Sequence, residues 1–169
     1  MRVIARRLVI LLLLALAVAG GALTLDDADP VSEPAAPDGS RHATVTRVVD
    51  GDTAILAGVG RSRFIGVDTP EVFGGRECFG SEASEFVKGI LTGRRVRYAI
   101  GAEPRDRYGR ALVYIWLQDG RFLNELLVTR GYARPLAIAP NVRYAGRFER
   151  RAREAREARR GLWSPAACS

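Results

Sequence analysis

The chain has 169 residues, enough for one domain of ordinary size, so we expect a single folded core. Residues 42–169 contain 22 Lys plus Arg and 14 Asp plus Glu, and the resulting formal charge of +8 favours a polyanionic partner. A general gain in solubility would give the same excess, so charge alone does not identify the partner. Two cysteines and one distant histidine do not make the ligand set of a zinc site.

The first 25 residues have the pattern of an export signal. Arg2, Arg6 and Arg7 precede an apolar run from Leu8 to Ala19, and the small residues that follow allow cleavage after Ala19 or Ala22. The alternative is an uncleaved membrane anchor, because the apolar stretch is near the lower length limit of a spanning helix. Both alternatives predict a secreted or extracytoplasmic protein.

Residues 26–41 read DDADPVSEPAAPDGSR and are acidic and rich in Pro and Ala. Such a segment buries too little apolar surface to offset the entropy of ordering, so we expect a disordered spacer. The folded domain is then predicted to occupy residues 42–169.

Within this domain the pattern predicts five strands and three helices. The strands are expected at 43–49, 53–56, 61–67, 94–100 and 111–117, and the helices at 81–91, 122–130 and 142–160. The first helix falls between the third and fourth strands, which suits an α+β fold, mainly β, built on a five-stranded OB barrel. Arginines fill much of the last helix, and a solvated helix face explains them better than a dedicated nucleic-acid surface.

Acidic residues gather at two turns of this predicted barrel. Asp50 and Asp52 flank Gly51 in the first hairpin, and the segment 68–71 reads Asp-Thr-Pro-Glu after the third strand. Alone, the first pattern could be an ordinary hairpin turn and the second a helix start. Together, two aspartates and a backbone carbonyl offer hard oxygen ligands that suit Ca²⁺ or Mg²⁺ rather than zinc.

Two arginines stand near these turns in the predicted strand pattern. Arg63 lies five residues before Asp68, and Arg110 follows the turn at Gly109. Hydrolysis of a phosphodiester needs an activated water and a way to neutralise charge on the phosphoryl oxygens. A carboxylate-held metal with a free Glu71 would supply the first, and planar arginine forks the second.

Five blocks and a short ending stand out along the chain. They are VVDGDT (48–53), RFIGVDTPE (63–71), FGSEASEF (79–86), DRYGRALVYIW (106–116), FLNELLVTRGYA (122–133) and GLW (161–163). In their order, and near its spacing, they resemble the staphylococcal nuclease (thermonuclease) family. The similarity extends over residues 43–164, and several blocks in order are far more specific than one motif.

The resemblance implies a Ca²⁺ site and a residue that acts on the attacking water. Asp52 and Asp68 would bind the cation through their carboxylates and Thr69 through its carbonyl, with Asp50 in the outer shell. Glu71 would orient or deprotonate the water.

The resemblance also implies how the substrate is held. Arg63 and Arg110 would bind the scissile phosphate, and Arg107 and Tyr108 a neighbouring phosphate. Single-stranded or melted DNA and RNA would be cut to products that bear 3′-phosphates, by a monomer without a stable protein partner. The segment after Gly131 reads ARPLAIAPN where the best-known member has tyrosines, so the base preference does not carry over.

Two other functions are compatible with an OB barrel. The first is a catalytically inactive nucleic-acid-binding module, and the second is a single-strand-binding protein. The retention of Arg63, Glu71, Arg110 and the two aspartates disfavours the inactive module. The export pattern and the few aromatic residues outside the apolar strands disfavour the single-strand-binding protein.

Cys78 and Cys168 are the only cysteines of a chain that has an export pattern. An oxidising compartment favours a disulfide between them, while free thiols, intermolecular pairing and metal binding are the alternatives. We expect such a disulfide to tie the C-terminal tail to the loop after Glu71 and to affect stability more than chemistry.

Overall fold

The computed structural model describes residues 32–72 and 77–168, and from Glu33 onward these residues belong to one compact unit. The predicted export segment, residues 1–25, and the start of the predicted spacer lie outside the described residues. Among those described, no helix is long and apolar enough to cross a membrane.

The described residues form seven strands and three α-helices. The strands are β1 (Arg41–Val48), β2 (Thr53–Leu56), β3 (Gly60–Phe64), β4 (Val67–Asp68), β5 (Arg95–Arg105), β6 (Ala111–Trp116) and β7 (Arg134–Pro135). The helices are α1 (Gly80–Leu91), α2 (Leu123–Thr129) and α3 (Ala145–Glu157), and a 3₁₀ turn (Gly161–Trp163) follows α3.

Five strands close into a barrel in the order β1-β2-β3-β6-β5. β1 is antiparallel to both β2 and β5, and β3 runs parallel to β6. Closure leaves no free edge in the barrel sheet, and its interior is filled by apolar side chains that alternate with outward-facing ones. The predicted α+β fold, a five-stranded OB barrel with three helices, is confirmed.

The structure departs from the predicted pattern after β3. The strand expected at 61–67 is two strands, because Gly66 takes a φ of 80°, in the left-handed region that favours glycine. The second of them, β4, pairs with β7, which the sequence did not predict, and Asp68 stands opposite Arg134 in this pair. The short sheet therefore holds the acidic turn against the chain that follows α2.

A buried asparagine fixes the region where the barrel meets α2. The Asn124 side chain accepts a hydrogen bond from Ile115 N–H at 3.0 Å and donates one to Ile65 O at 2.8 Å. Asn124 is completely buried, so these bonds replace water for both backbone groups. They connect β6, α2 and the segment between β3 and β4, and so support the strand end that carries the acidic turn.

The predicted spacer contacts the barrel through Glu33, Pro34 and Ala36. Pro34 O accepts a hydrogen bond from the Trp116 indole at 2.7 Å, and Glu33 accepts one from Phe122 N–H at 3.1 Å. Ala36 packs against the apolar core. Any shortened form of the protein intended for experiments should therefore begin before Glu33.

A disulfide joins Cys78, just before α1, to Cys168, in the C-terminal tail, with 5.5 Å between the two Cα atoms. The predicted disulfide is confirmed, and its partners are 90 positions apart in the sequence.

Glu125 of α2 is buried and pairs with two arginines of the Arg-rich helix α3. Its carboxylate lies 2.7 Å from Arg147 Nε and 2.6 Å from Arg151 Nε. We expect Glu125→Gln to lower the free energy of unfolding by about 3 kcal/mol, because the substitution removes a buried negative charge that pairs with two partly buried guanidinium groups. Urea denaturation measures this change.

Glu154 provides the matched control, because its carboxylate also contacts Arg151, at 2.9 Å, but is 46% exposed. Glu154→Gln should change the free energy of unfolding by less than about 1 kcal/mol. Equal effects of the two substitutions would show that burial does not set the strength of the Glu125 pairs.

Candidate active site

The first acidic turn lies between β1 and β2 and buries the side chain of Asp52. Asp50 Oδ1 accepts a hydrogen bond from Asp52 N–H at 3.1 Å, and Val49 N–H bonds to Thr53 O at 2.8 Å to close the turn. Asp52 is only 7% exposed, and its Oδ1 accepts a further bond from the Thr53 hydroxyl. The turn thus holds a buried carboxylate in one orientation.

The second acidic turn packs directly on the first. Thr69 donates two hydrogen bonds to Asp52 Oδ2, one from its N–H and one from its hydroxyl, both at 3.1 Å. A Cβ added at Gly51 would lie 2.7 Å from the Thr69 hydroxyl oxygen, so only glycine allows this approach. Asp52 and Thr69, 17 positions apart in the sequence, are therefore adjacent in the fold.

Arg63 joins the two turns from the end of β3. Its Nη2 lies 3.2 Å from Asp52 Oδ2 and 3.0 Å from Asp68 Oδ1. Its Nη1 donates to Phe64 O and Val67 O, at 3.0 and 2.7 Å. These contacts fix the guanidinium of Arg63, whose side chain is only 12% exposed. They also bring the carboxylates of Asp52 and Asp68, both predicted to bind metal, to the same Nη2 atom.

The pKa values of Asp50 and Asp68, the two carboxylates beside Asp52 in this cluster, are raised. Burial raises the pKa of Asp50, and the negative charge of Asp52 raises it further. Burial also raises the pKa of Asp68, partly offset by the Arg63 guanidinium. The cluster therefore carries more negative charge than Arg63 alone stabilises.

The donor set fits a hard divalent cation. It consists of the carboxylates of Asp52 and Asp68 and the backbone carbonyl of Thr69, the residue that follows Asp68. Such a cation would offset the negative charge of the two carboxylates. In residues 32–72 and 77–168 no group of three or more His, Cys, Asp or Glu side chains is arranged to hold a metal. Two carboxylates and a carbonyl are thus a sparse set that leaves coordination positions to water and substrate.

Arg110 is positioned by Asp106. The Arg110 Nε lies 2.6 Å from Asp106 Oδ2, and the N–H groups of Arg110 and Tyr108 donate to Asp106 Oδ1 at 2.9 and 3.0 Å. Burial acts to raise the pKa of Asp106, but the hydrogen bonds from Arg110 and Tyr108 outweigh it and lower the pKa. The loop between β5 and β6 therefore holds Arg110 by its Nε.

A cleft of about 750 Å³ gathers the arginines predicted to bind phosphate. It is lined by Arg63, Arg107, Tyr108 and Arg110, with apolar residues of β3, β6 and the segment after β7 on the other walls. Tyr108 is 67% exposed, its hydroxyl lies 2.6 Å from Arg107 Nη2, and its ring faces the guanidinium groups of Arg107 and Arg110. A positively charged cleft therefore borders the carboxylate cluster through Arg63.

Glu71 lies two residues beyond Thr69 and is exposed, outside the cleft lining. Its N–H donates a hydrogen bond to Glu77 Oε2 at 3.2 Å, and its O accepts one from Glu77 N–H at 2.9 Å. The structure thus fixes the backbone of Glu71 through a residue for which the sequence had suggested no role.

Two predicted site residues, Arg110 and Glu71, have partners that the sequence did not predict, namely Asp106 and Glu77. An Asp followed by Gly109 three positions later is a turn signal that could have suggested Asp106, since the Gly109 N–H bonds to Asp106 O at 2.9 Å. The chain contains no comparable local signal for Glu77, because its partner is six positions away across a loop.

The closed five-stranded barrel carries the carboxylates of Asp52 and Asp68, and an arginine-lined cleft lies beside them. These features define an OB-fold protein whose candidate site suits an anionic ligand. The model of the family described as staphylococcal nuclease homologue matches residues 61–165. The chain belongs to the staphylococcal nuclease family.

Individual relatives agree with this membership. The thermonuclease of Staphylococcus hyicus is 40% identical over 126 residues, covering 71% of this chain and 74% of that protein. The thermonuclease of Staphylococcus intermedius is 42% identical over 125 residues, covering 70% and 74%. The endonuclease YhcR of Bacillus subtilis (strain 168) is 32% identical over 149 residues, which cover 78% of this chain but 12% of that much longer protein.

Proposed function

We propose that this protein is an exported, Ca²⁺-dependent nuclease that hydrolyses phosphodiester bonds of DNA and RNA and leaves 3′-phosphates. The observation that carries the proposal is the position of Arg63, which contacts Asp52 and Asp68 and also lines the cleft with Arg110. Membership of a family named for a nuclease supports the same function.

Each residue in the site has a distinct task in this proposal. Asp52, Asp68 and the Thr69 carbonyl hold the cation, which supplies charge neutralisation at the phosphoryl group. Glu71 accepts a proton from the attacking water. The bond between phosphorus and the 5′-oxygen then breaks, and the 5′-oxygen takes a proton from solvent and leaves as a hydroxyl. The hydroxyl group of the attacking water stays on phosphorus, so the phosphate remains on the 3′ side.

The two arginines act on the charge that accumulates in the transition state. Arg63 and Arg110 donate hydrogen bonds to the phosphoryl oxygens. Arg110, which contacts Asp106 through its Nε, can donate two parallel bonds from its two Nη groups, and Arg63 can donate one from its Nε. Arg107 and Tyr108 bind the next phosphate of the chain, and Asp50 supports the turn that carries Asp52. The Nε of Arg63 has no acceptor among the described residues, so it remains available to a substrate oxygen.

The disulfide supports the proposed location outside the cytoplasm, because such bonds persist in oxidising compartments. The catalytically inactive nucleic-acid-binding module is the alternative function, and an assay that separates binding from cleavage distinguishes the two.

Activity should require Ca²⁺. A sparse, partly open ligand set implies weak binding, with a dissociation constant of roughly 10⁻⁴ to 10⁻³ M. We expect the purified protein to cut single-stranded DNA at millimolar-range Ca²⁺, to stop when chelator is in excess, and to recover when Ca²⁺ is restored. Undiminished cleavage in chelator would refute the metal requirement, and binding without cleavage at any Ca²⁺ concentration would favour the inactive module.

A further inference from the structure

Glu71 has a fixed backbone and a free side chain. In the described part of the chain, its carboxylate makes no hydrogen bond or ion pair, and the bonds that hold the residue are the two between its backbone and Glu77. A general base must lie within hydrogen-bond distance of the proton it accepts, and a misplacement of about 1 Å can lower the rate on the order of 10²-fold. The placement of Glu71 therefore depends on whatever holds Glu77.

We propose that Glu77 is a positioning residue for Glu71, and that the Cys78–Cys168 disulfide keeps Glu77 in place for this task. The inference rests on the proposed function, in which Glu71 acts on the attacking water. It assigns to the disulfide an effect on turnover in addition to the expected effect on stability.

The bonds between Glu77 and Glu71 are reciprocal. Glu77 Oε2 accepts from Glu71 N–H at 3.2 Å, and Glu77 N–H donates to Glu71 O at 2.9 Å. Together they satisfy both backbone groups of Glu71 and restrict its φ and ψ angles. Pro70, which precedes Glu71, has no N–H to offer and cannot replace this support.

Gly80, the first residue of α1, contacts both Glu77 and the backbone of the second acidic turn. Gly80 N–H bonds to Glu77 O at 3.2 Å, and a Cβ at Gly80 would lie 2.7 Å from Glu71 O and 2.9 Å from Pro70 O. The backbone of the acidic turn thus packs on the first residue of the helix with no room for a side chain. This contact places Glu71 relative to α1 and leaves Glu77 as its only side-chain partner among the described residues.

The disulfide attaches Cys78, the residue next to Glu77, to the C-terminal tail. Cys78 is bonded to Cys168, whose tail follows the 3₁₀ turn. That turn is held to the end of α2 by the bond from Leu162 N–H to Gly131 O at 2.8 Å, and Gly131 and Gly161 approach too closely for any side chain at either. Reduction would release Cys78 from this anchor and leave Glu77 held mainly through Gly80.

Steady-state cleavage of a single-stranded oligonucleotide tests the role of Glu77, using the full chain at saturating Ca²⁺. We expect Glu77→Ala to lower kcat about tenfold with KM unchanged, because the loss concerns the attacking water and not substrate binding. Glu77→Gln should restore most of the activity, because its amide oxygen can accept the same bond from Glu71 N–H. In a Glu71→Gln background, Glu77→Ala should cause no further loss, which a general structural defect would not produce.

The disulfide is tested in the same assay with a Cys78→Ser, Cys168→Ser variant. It should lose on the order of threefold in kcat with KM unchanged, less than Glu77→Ala because the bond from Gly80 remains. Dithiothreitol should lower kcat of the unsubstituted protein to the same level and leave the variant unaffected. Circular dichroism at the assay temperature ensures that only folded variants are compared.

Glu82→Ala is the matched control. Glu82 is an exposed glutamate of the first turn of α1 that makes no hydrogen bond or ion pair with the acidic turns among the described residues, so its kcat should be unchanged. The positioning role would be overturned if Glu77→Ala left kcat unchanged or raised KM without lowering kcat. It would also be overturned if Glu77→Ala lowered kcat further in the Glu71→Gln background. An unchanged kcat on reduction would overturn the part assigned to the disulfide. Absence of cleavage by the unsubstituted protein would instead refute the proposed nuclease.

Discussion

Arg63→Lys and Arg110→Lys should each lower kcat on the order of 10²-fold or more, although both keep the positive charge. At Arg110, lysine cannot reproduce the planar fork that donates two parallel hydrogen bonds to a phosphate. At Arg63, it cannot direct one N–H to the phosphate while others bond to the protein. Arg63→Lys also gives up bonds, because the guanidinium reaches Phe64 O, Val67 O and Asp68 at once and an ammonium group cannot reach all three. Initial rates on single-stranded DNA at saturating Ca²⁺ measure the loss.

The control for these substitutions is Arg97→Lys. Arg97 is an exposed arginine of β5 that lines a different cavity, and the same exchange there should leave kcat unchanged. Near-normal rates for Arg63→Lys or Arg110→Lys would mean that the phosphate is held by other residues.

Removing the disulfide should lower the free energy of unfolding by roughly 3 to 5 kcal/mol. The bond closes a loop between positions 90 residues apart, so it restricts the unfolded chain far more than the folded one. The Cys78→Ser, Cys168→Ser variant, compared with the oxidised protein by guanidinium denaturation, measures the change. The same variant tests the proposed effect on turnover, at a temperature where it remains folded.

Thiol titration provides the check on this comparison. Denatured, unreduced protein should contain no reactive thiol, and reduction should give two per chain. Two thiols before reduction, or a covalent dimer on a non-reducing gel, would contradict the intramolecular bond in the protein as isolated.

The barrel was predictable because its sequence signals are local. Alternating strands, the turn at Gly51 and the apolar stripe of α1 are each visible within about ten residues, and the barrel they predict is confirmed. The pairing of β4 with β7 was not predictable, since two-residue strands have no periodicity to detect. The break at Gly66 lay inside an apparently continuous strand pattern.

The residues of the candidate site also differ in whether the sequence alone could predict them. Asp52, Asp68 and Arg63 stand in recognisable motifs, and the structure brings them together within hydrogen-bond distance. Asp106 contacts Arg110, and Glu77 contacts Glu71. The importance of Asp106 and Glu77 therefore depends on distances between atoms, which no sequence pattern reports. Motifs identify groups that bear chemistry, whereas the groups that orient them emerge only from the folded arrangement.

The way the barrel closes also determines how the chain must fold. β1 meets β5, and β3 meets β6, across long separations in sequence, so the entropy of two large loops is lost before these contacts form. The hairpins of β1, β2 and β3 can form early, but β3 then presents an unpaired edge until β6 arrives. During that interval, on the order of milliseconds to seconds for such topologies, the open edge is available to other chains. Closure of the barrel is thus the step in which folding competes with aggregation.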